Sequence, residues 1–343
     1  MTAGPTAGQV PAPTDTTPPA TRFSPAGLTR PVVLVVMLAV LVAVPYLVPG
    51  ILSLIVVVGI FYVVLLGLGL LVGDAGQVSL GQTMFMAIGG YGAGYATLRW
   101  QWPTTVALIT MAVVSAVIAA LIGAAFLRLR GYYFALATLG LAVITESLAS
   151  ALSGVTGGPS GLVGVPSLQL GSLTIFSDRA NYYVLLVVGG LGAWFIANLR
   201  RAQTGRVLAA IANDSSAAAM LGIRSARYKT ATFVISAVFA SVGGSLYAFY
   251  LRFISPEVIG VLVAFNVVIM VALGGARTLV GPLLGALLLQ GLPLVGAEFA
   301  LWQPFVSGVV LIIVMTYLPR GIWGGFRDLA KRTLRRTAQE ERR

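Results

Sequence analysis

The sequence contains no histidine and no cysteine. Those two absences remove disulfides, thiolate nucleophiles, Cys/His metal centres and the Ser-His-Asp triad together. Lysine is nearly missing as well: Lys229 and Lys331 are the only two, and neither lies in a Gly-x-x-x-x-Gly-Lys-Ser/Thr run. A phosphate-cradling P-loop is therefore excluded, and this chain does not bind ATP by that device. Charge of either sign is scarce. Only 9% of the 343 residues are charged, where a soluble domain carries roughly 25%. So few charges cannot cover a soluble surface. The chain is 58% hydrophobic with a mean hydropathy of +0.94, and lipid is the solvent that suits most of it.

Large apolar residues are also sparse at the start. Residues 1–30 hold six prolines among Thr, Ala and Gly. Such a segment buries too little surface to offset its ordering entropy, so a disordered tail is expected. No cleavage pattern marks it as a secretory signal. Beyond it, apolar stretches run at 31–48, 50–72, 84–98, 104–127, 135–152, 181–199, 230–250, 261–275, 282–297 and 304–318. The third, eighth, ninth and tenth fall short of the ~20 residues that cross a bilayer, and are expected to be tilted, broken or re-entrant. Apolarity on every side, without period-2 alternation, excludes a β-barrel. The expected fold is all-α: a polytopic bundle of about ten transmembrane helices over 31–318, followed by a basic cytoplasmic tail at 319–343.

The net charge of +12 invites a nucleic-acid reading, but the placement of the charges opposes it. With the N-terminus inside and ten alternating spans, nineteen of the 22 basic residues fall inside and only Arg99, Arg179 and Arg252 fall outside. That is the positive-inside pattern, with both termini cytoplasmic. The tail from Arg327 to Arg336 then faces anionic headgroups, not RNA.

A few residues stand out against this apolar background. In the inner connection 200–229, Asp214 or Ser215 suits an N-cap and Gly222 suits a C′ position. Ala217 and Ala218 give the short helix between them a small-residue face, which fits close docking in a partner's groove. A plain amphipathic connector is the competing reading. Between the second and third spans, Gly76-Gln77-Val78-Ser79-Leu80-Gly81-Gln82 interrupts the apolar run. Irregular backbone at membrane depth is tolerated only where it is buried or lines a cavity. Gln77, Ser79 and Gln82 offer neutral hydrogen bonds there and are candidate pathway residues; an inside loop is the alternative, and Gly90 and Gly94 read as helix packing. Glu146 lies roughly 18 Å into its helix. A carboxyl at that depth faces a cavity or a partner, or is a hydrogen-bonded structural group. The outer connection 153–180 is rich in Gly, Ser and Pro, and Thr156-Gly157-Gly158-Pro159-Ser160-Gly161-Leu162 within it reads on its own as a loop.

Taken together these stretches resemble the LivM-type permease subunits of bacterial branched-chain amino-acid ABC importers. The carriers are the 76–91 segment, Arg128-Leu129-Arg130-Gly131-Tyr132-Tyr133-Phe134, the Thr156 segment, Phe253-Ile254-Ser255-Pro256-Glu257, and Leu273-Gly274-Gly275-x-x-Thr278-Leu279-x-Gly281-Pro282. Ser216-Ala217-Ala218-x-x-x-Gly222 is similar to the importer loop Glu-Ala-Ala-x-x-x-Gly with the glutamate replaced, and Gly205-Arg206-x-Leu208-x-Ala210-Ile211 precedes it. The family usually has Asp where Tyr132 stands and Glu where Val143 stands; here the acid, Glu146, comes one turn later.

The resemblance implies half of a translocation pathway working by alternating access in a bacterial inner membrane. It implies a LivH-type second permease, two cytoplasmic ATPase subunits that hold the ATP, and an extracytoplasmic substrate-binding protein, with no cofactor in this chain. It makes Gly205, Arg206, Asp214, Ala217, Ala218 and Gly222 the ATPase-coupling loop and adds Thr156 to the pathway residues. Two rivals remain. One is a urea or short-amide importer of the same superfamily. The other is an ATP-independent secondary transporter or channel, against which stands the shortage of intramembrane titratable groups, Glu146 and Asp74 alone qualifying. An intramembrane enzyme would lack His, Cys and paired acids.

Overall fold

The structure is a computed structural model that describes residues 41–126, 131–171, 173–295, 305, 308, 309, 312 and 321–325. The tail 1–30, most of the first and tenth expected spans, Arg128 and Arg130, and the tail beyond residue 325 lie outside the described residues. Residues 41–47 are helical. The elements named below all belong to the unit Val48–Arg343.

Among the described residues, ten helices carry the architecture. They are α1 (Leu52–Gly69), α2 (Gln82–Arg99), α3 (Thr104–Phe126), α4 (Tyr132–Ala151), α5 (Asp178–Arg201), α6 (Gln203–Asn213), α7 (Ser215–Met220), α8 (Ser225–Leu251), α9 (Val261–Gly274) and α10 (Gly281–Val295). The strands among the described residues are two residues long. β1 (Leu162–Val163) pairs antiparallel with β4 (Phe253–Ile254), and β2 (Gln169–Leu170) with β3 (Leu173–Thr174). The all-α helical bundle expected from the sequence is what the chain forms.

Among the described residues, five helical segments are long and apolar enough to cross a membrane: Pro49–Asp74, α3, α4, α5 and α8. The third expected span, α2, has 18 residues and is packed inside the bundle. Its glycines and polar groups are buried against neighbouring helices, Gln82, Thr83, Gly89, Gly90 and Gly94 among them. The eighth and ninth, α9 and α10, have 14 and 15 residues. At 1.5 Å per residue such helices reach about 21–23 Å, short of the ~30 Å hydrocarbon core.

Helix α8 is the hub. Ser236, Ala237, Ala240, Ser241, Gly243, Gly244, Ser245 and Ala248 are all buried on it, and α1, α2 and α3 pack around it. Small side chains let backbones approach where lipid supplies no hydrophobic drive between helices. A Cβ on Gly244 would run into the carbonyl of Met86, and one on Gly89 into that of Ser241. The Ser245 hydroxyl donates to the Gly89 carbonyl at 3.0 Å. Helix α1 is apolar on every side and mostly buried, as a central helix should be. By contrast α3 leaves Val106, Ile109, Val113, Val117 and Leu121 exposed as an apolar stripe at helical spacing.

Candidate translocation and coupling site

At one end of the bundle α1 does not stop cleanly. It continues as a π-helical turn, Leu70–Asp74, closed by Ala75 N–H to Leu70 O at 3.2 Å and Gln77 N–H to Leu71 O at 3.1 Å. Residues 75–81 are then irregular until α2 begins. Neighbouring helices satisfy this backbone. Thr138 Oγ1 on α4 accepts from Leu80 N–H at 3.0 Å, and Ser79 Oγ accepts from Gly81 N–H at 3.3 Å. Gln82 Nε2 donates to Ser236 Oγ on α8 at 2.9 Å. Gln77, Ser79 and Gln82 are 6%, 0% and 1% exposed. Their polar groups lie inside helix contacts of this chain, and Gln77 Oε1 and Gln82 Oε1 have no hydrogen-bond partner among the described residues.

The 202–224 connection lies at the same end. Gly205 makes a tight joint between α5 and α6, since a Cβ there would strike the Arg200 carbonyl. Helix α6 buries Leu208 and Ile211 and leaves Arg206 exposed. Asp214 caps α7, its Oδ1 accepting from Ser216 N–H at 2.8 Å and Ala217 N–H at 3.1 Å. The Ala217 and Ser216 amides hold its carboxyl below the usual carboxylate range. Gly222 closes the helix at φ +79°, with Gly222 N–H on Ala219 O and Ile223 N–H on Ala218 O at 3.0 and 3.1 Å. Ala218 points into the chain, 2% exposed, whereas Met220 and Leu221 are 88% and 81% exposed. Leu221 and Gly222 border an open groove of about 490 Å³ with Thr204, Arg224, Arg227 and Tyr228.

The opposite end is built from the Thr156 segment, β4 and the start of α9. The Thr156 hydroxyl lies 2.6 Å from Ala149 O and 2.8 Å from Leu152 O and accepts from Gly158 N–H at 3.2 Å, so it closes the turn after α4. Gly157, Gly158 and Gly161 take φ of +78°, +65° and +74°, which side-chain-bearing residues resist. The β1–β4 pair then ties this turn to Phe253–Ile254. Arg252 braces the 153–180 connection, with Nε on Ser167 Oγ at 2.9 Å and its guanidinium 5.0 Å from the Phe176 ring centroid. Glu146, half-buried on α4, accepts from Val261 N–H at 3.0 Å. Its carboxylate therefore sits on the unsatisfied amide end of α9, where negative charge is favoured.

The sequence-derived residues thus fall into separate groups along the molecule. Thr138, which holds the Gln77–Gln82 segment, stands eight residues before Glu146 on α4, about 12 Å along the axis. Thr156 lies beyond the far end of α4. The 202–224 connection approaches the first group at Gly76, whose added Cβ would lie 3.4 Å from Ala212 of α6. Sequence reading passed over two features. Met220 and Leu221 were readable as apolar residues ending an amphipathic connection. Asp74 and Arg200 form an ion pair at 2.8 Å; being 126 positions apart, they left no local pattern.

Comparison with known proteins adds an independent line. The family described as branched-chain amino acid transport system / permease component matches residues 50–317. The chain is similar to the high-affinity branched-chain amino acid transport system permease protein LivM of Salmonella typhimurium, 30% identical over 313 residues that span 84% of this chain and 74% of that protein. The LivM protein of Escherichia coli K12 is 29% identical over the same extent. The LivH permease protein of Salmonella typhimurium is 26% identical over 200 residues, 55% of this chain and 63% of its own. No solved structure matches the chain.

Proposed function

Because the chain belongs to the permease-component family of branched-chain amino acid transport systems, we propose that this integral membrane protein is one of two permease subunits in an ATP-driven importer of branched-chain amino acids. The second permease is LivH-type; two cytoplasmic ATPase subunits hold and hydrolyse the ATP; an extracytoplasmic binding protein delivers the substrate. The chain sits in the bacterial inner membrane with both termini cytoplasmic, and it contributes transport, not catalysis.

The observation that carries this reading is the α7 segment. A capped helix closed by Gly222 at φ +79° presents Met220 and Leu221 to the surroundings, on the connection that abuts the Gly76–Gln82 segment. Large apolar side chains held out on a short, well-closed helix suit insertion into a partner's groove. ATP-driven closure of the ATPase pair would move α7 and α6, and the helices around 73–95 and 132–151 would rock to switch the opening from one face to the other. Gln77, Ser79, Gln82, Glu146 and Thr156 shape the pathway, chiefly by fixing the helices that border it. The neutral polar groups suit a zwitterionic substrate with an apolar side chain.

The test is reconstitution with a LivH-type permease, both ATPases and the binding protein in vesicles. ATP-dependent uptake of leucine, isoleucine or valine is expected. Uptake of urea or short amides instead would favour the rival importer reading, and uptake without ATP would overturn the assignment.

A further inference from the structure

The ion pair between Asp74 and Arg200 does more than join two charges. Arg200 is the penultimate residue of α5, and its backbone carbonyl is the wall against which Gly205 starts α6. Its side chain reaches the opposite way. Nε donates to Asp74 Oδ2 at 2.8 Å, Nη1 to the Arg277 carbonyl at 3.1 Å and Nη2 to the Ala276 carbonyl at 3.3 Å. Arg277 completes a ring by donating Nε to Gly73 O at 2.8 Å. Gly73 is closely packed there: a Cβ would lie 2.7 Å from the backbone of Ala276. Arg200 thus joins three things: its guanidinium clasps the π turn that ends α1 and the α9–α10 connection, and its backbone forms the root of the 202–224 segment. Both charged side chains are largely covered, at 19% and 17% exposure.

Two features make this a joint for transmitting motion. First, the partners are connections and helix ends, not mid-helix surfaces, so the clasp sits where elements pivot. π turns are also frequent at functional positions. Second, the planar fork fixes direction as well as distance, because its nitrogens are divided between the π turn and the α9–α10 connection; a lysine would supply a point charge only.

We propose that Arg200 and Asp74 are positioning residues that carry the displacement of α6 and α7 to residues 73–81 and 275–281, coupling the cytoplasmic segment to the irregular backbone of the pathway. This rests on the ATP-driven reading above. It assigns to the pair the step between partner movement and helix rearrangement. Breaking it should leave the ATPases bound and hydrolysing while the pathway ceases to follow.

The test uses the complete complex in vesicles and reads uptake, ATP hydrolysis and subunit stoichiometry together for the wild type, Asp74→Asn, Arg200→Gln and Arg200→Lys. The expected result is full assembly and continued hydrolysis, with uptake per ATP falling roughly 5- to 150-fold in Asp74→Asn and Arg200→Gln, the ordinary span of coupling energies. Arg200→Lys should fall between these and wild type, because it keeps the charge and loses the fork. Unchanged uptake per ATP in both neutral variants overturns the proposal. So does loss of the ATPase subunits or of the folded permease in both, which would make the pair a fold element and no more. A wild-type complex without ATP-dependent uptake removes the importer reading itself and this proposal with it, an outcome distinct from a coupled wild type with unaffected variants.

Discussion

Glu146 places a carboxylate fifteenth in a helix of 20 residues, and the chain uses it on a backbone amide. The Val261 N–H it accepts belongs to the first turn of α9, one of the donors a helix cannot satisfy internally. Two substitutions separate charge from hydrogen bonding. Glu146→Gln retains an acceptor oxygen, so the purified chain should assemble with its partners and melt close to wild type. Glu146→Leu leaves the amide bare and should cost about 0.5–2 kcal/mol, the usual range for a lost cap. Thermal unfolding in detergent measures both. Uptake then tests the pathway role: a loss in Glu146→Gln with stability intact assigns the charge itself to transport, and wild-type uptake by Glu146→Leu would remove the pathway role. Sequence could point to Glu146 because a buried acid is conspicuous. It could not show the partner, since Val261 lies 115 positions away. Thr156 is the reverse case: its three contacts lie within seven residues, yet a threonine beside glycines looks like any loop.

At the scale of elements, α7 decides whether a partner docks here. Its capping was readable from Asp214 and Gly222, because caps are local chemistry. Its orientation was not, because a six-residue helix shows too little periodicity to fix a face. Small size suggested that Ala218 meets the partner; the fold turns Ala218 inward and Met220 and Leu221 outward. Met220→Ser or Leu221→Ser should therefore each weaken retention of the ATPase subunits, by roughly 1.5–3 kcal/mol where the partner buries the whole side chain. Co-purification at graded ATPase concentrations checks this. Undiminished retention in both variants would leave α7 a solvated connector. Gly222→Val should act on the permease alone, since a β-branched residue resists φ near +79°. The Asp214 cap has its own pH signature. Its folded pKa is depressed, so the cap is fully present above the unfolded value of about 3.9 and is lost as pH falls through the lower folded value. Protection factors of the Ser216 and Ala217 amides should stay level across neutral pH and collapse only in acid. Asp214→Ala should abolish them at every pH, while Asp214→Asn, a good cap in its own right, should keep them.

For the whole molecule, the helical bundle was readable because apolar run length is a property of the chain itself. The long-range bonds add an arrangement that no charge count supplies. Asp74 with Arg200, Arg277 with Gly73, and Gly76 beside Ala212 gather residues 73–76, 200–212 and 277 at one end. Gly164 and Val165 bonded to the Arg252 carbonyl, Tyr250 to Asp178, and Val261 to Glu146 gather the other. Whatever the sign, residues within a group must share a side of the membrane. Charge predicts the sign: in the expected ten-span alternation nineteen of the 22 basic residues fall on the side of the first group, and basic loops tend to stay cytoplasmic. Reporter fusions therefore have correlated outcomes. One placed after Gly164 should read outside; those placed after Arg224 and after Thr278 should both read inside. Opposite readings at Arg224 and Thr278 would contradict the bonding of Arg200 to the Ala276 and Arg277 carbonyls, and so the fold. A common reversal at all three would spare the fold and refute the orientation, placing α7 on the face that cytoplasmic ATPases cannot reach.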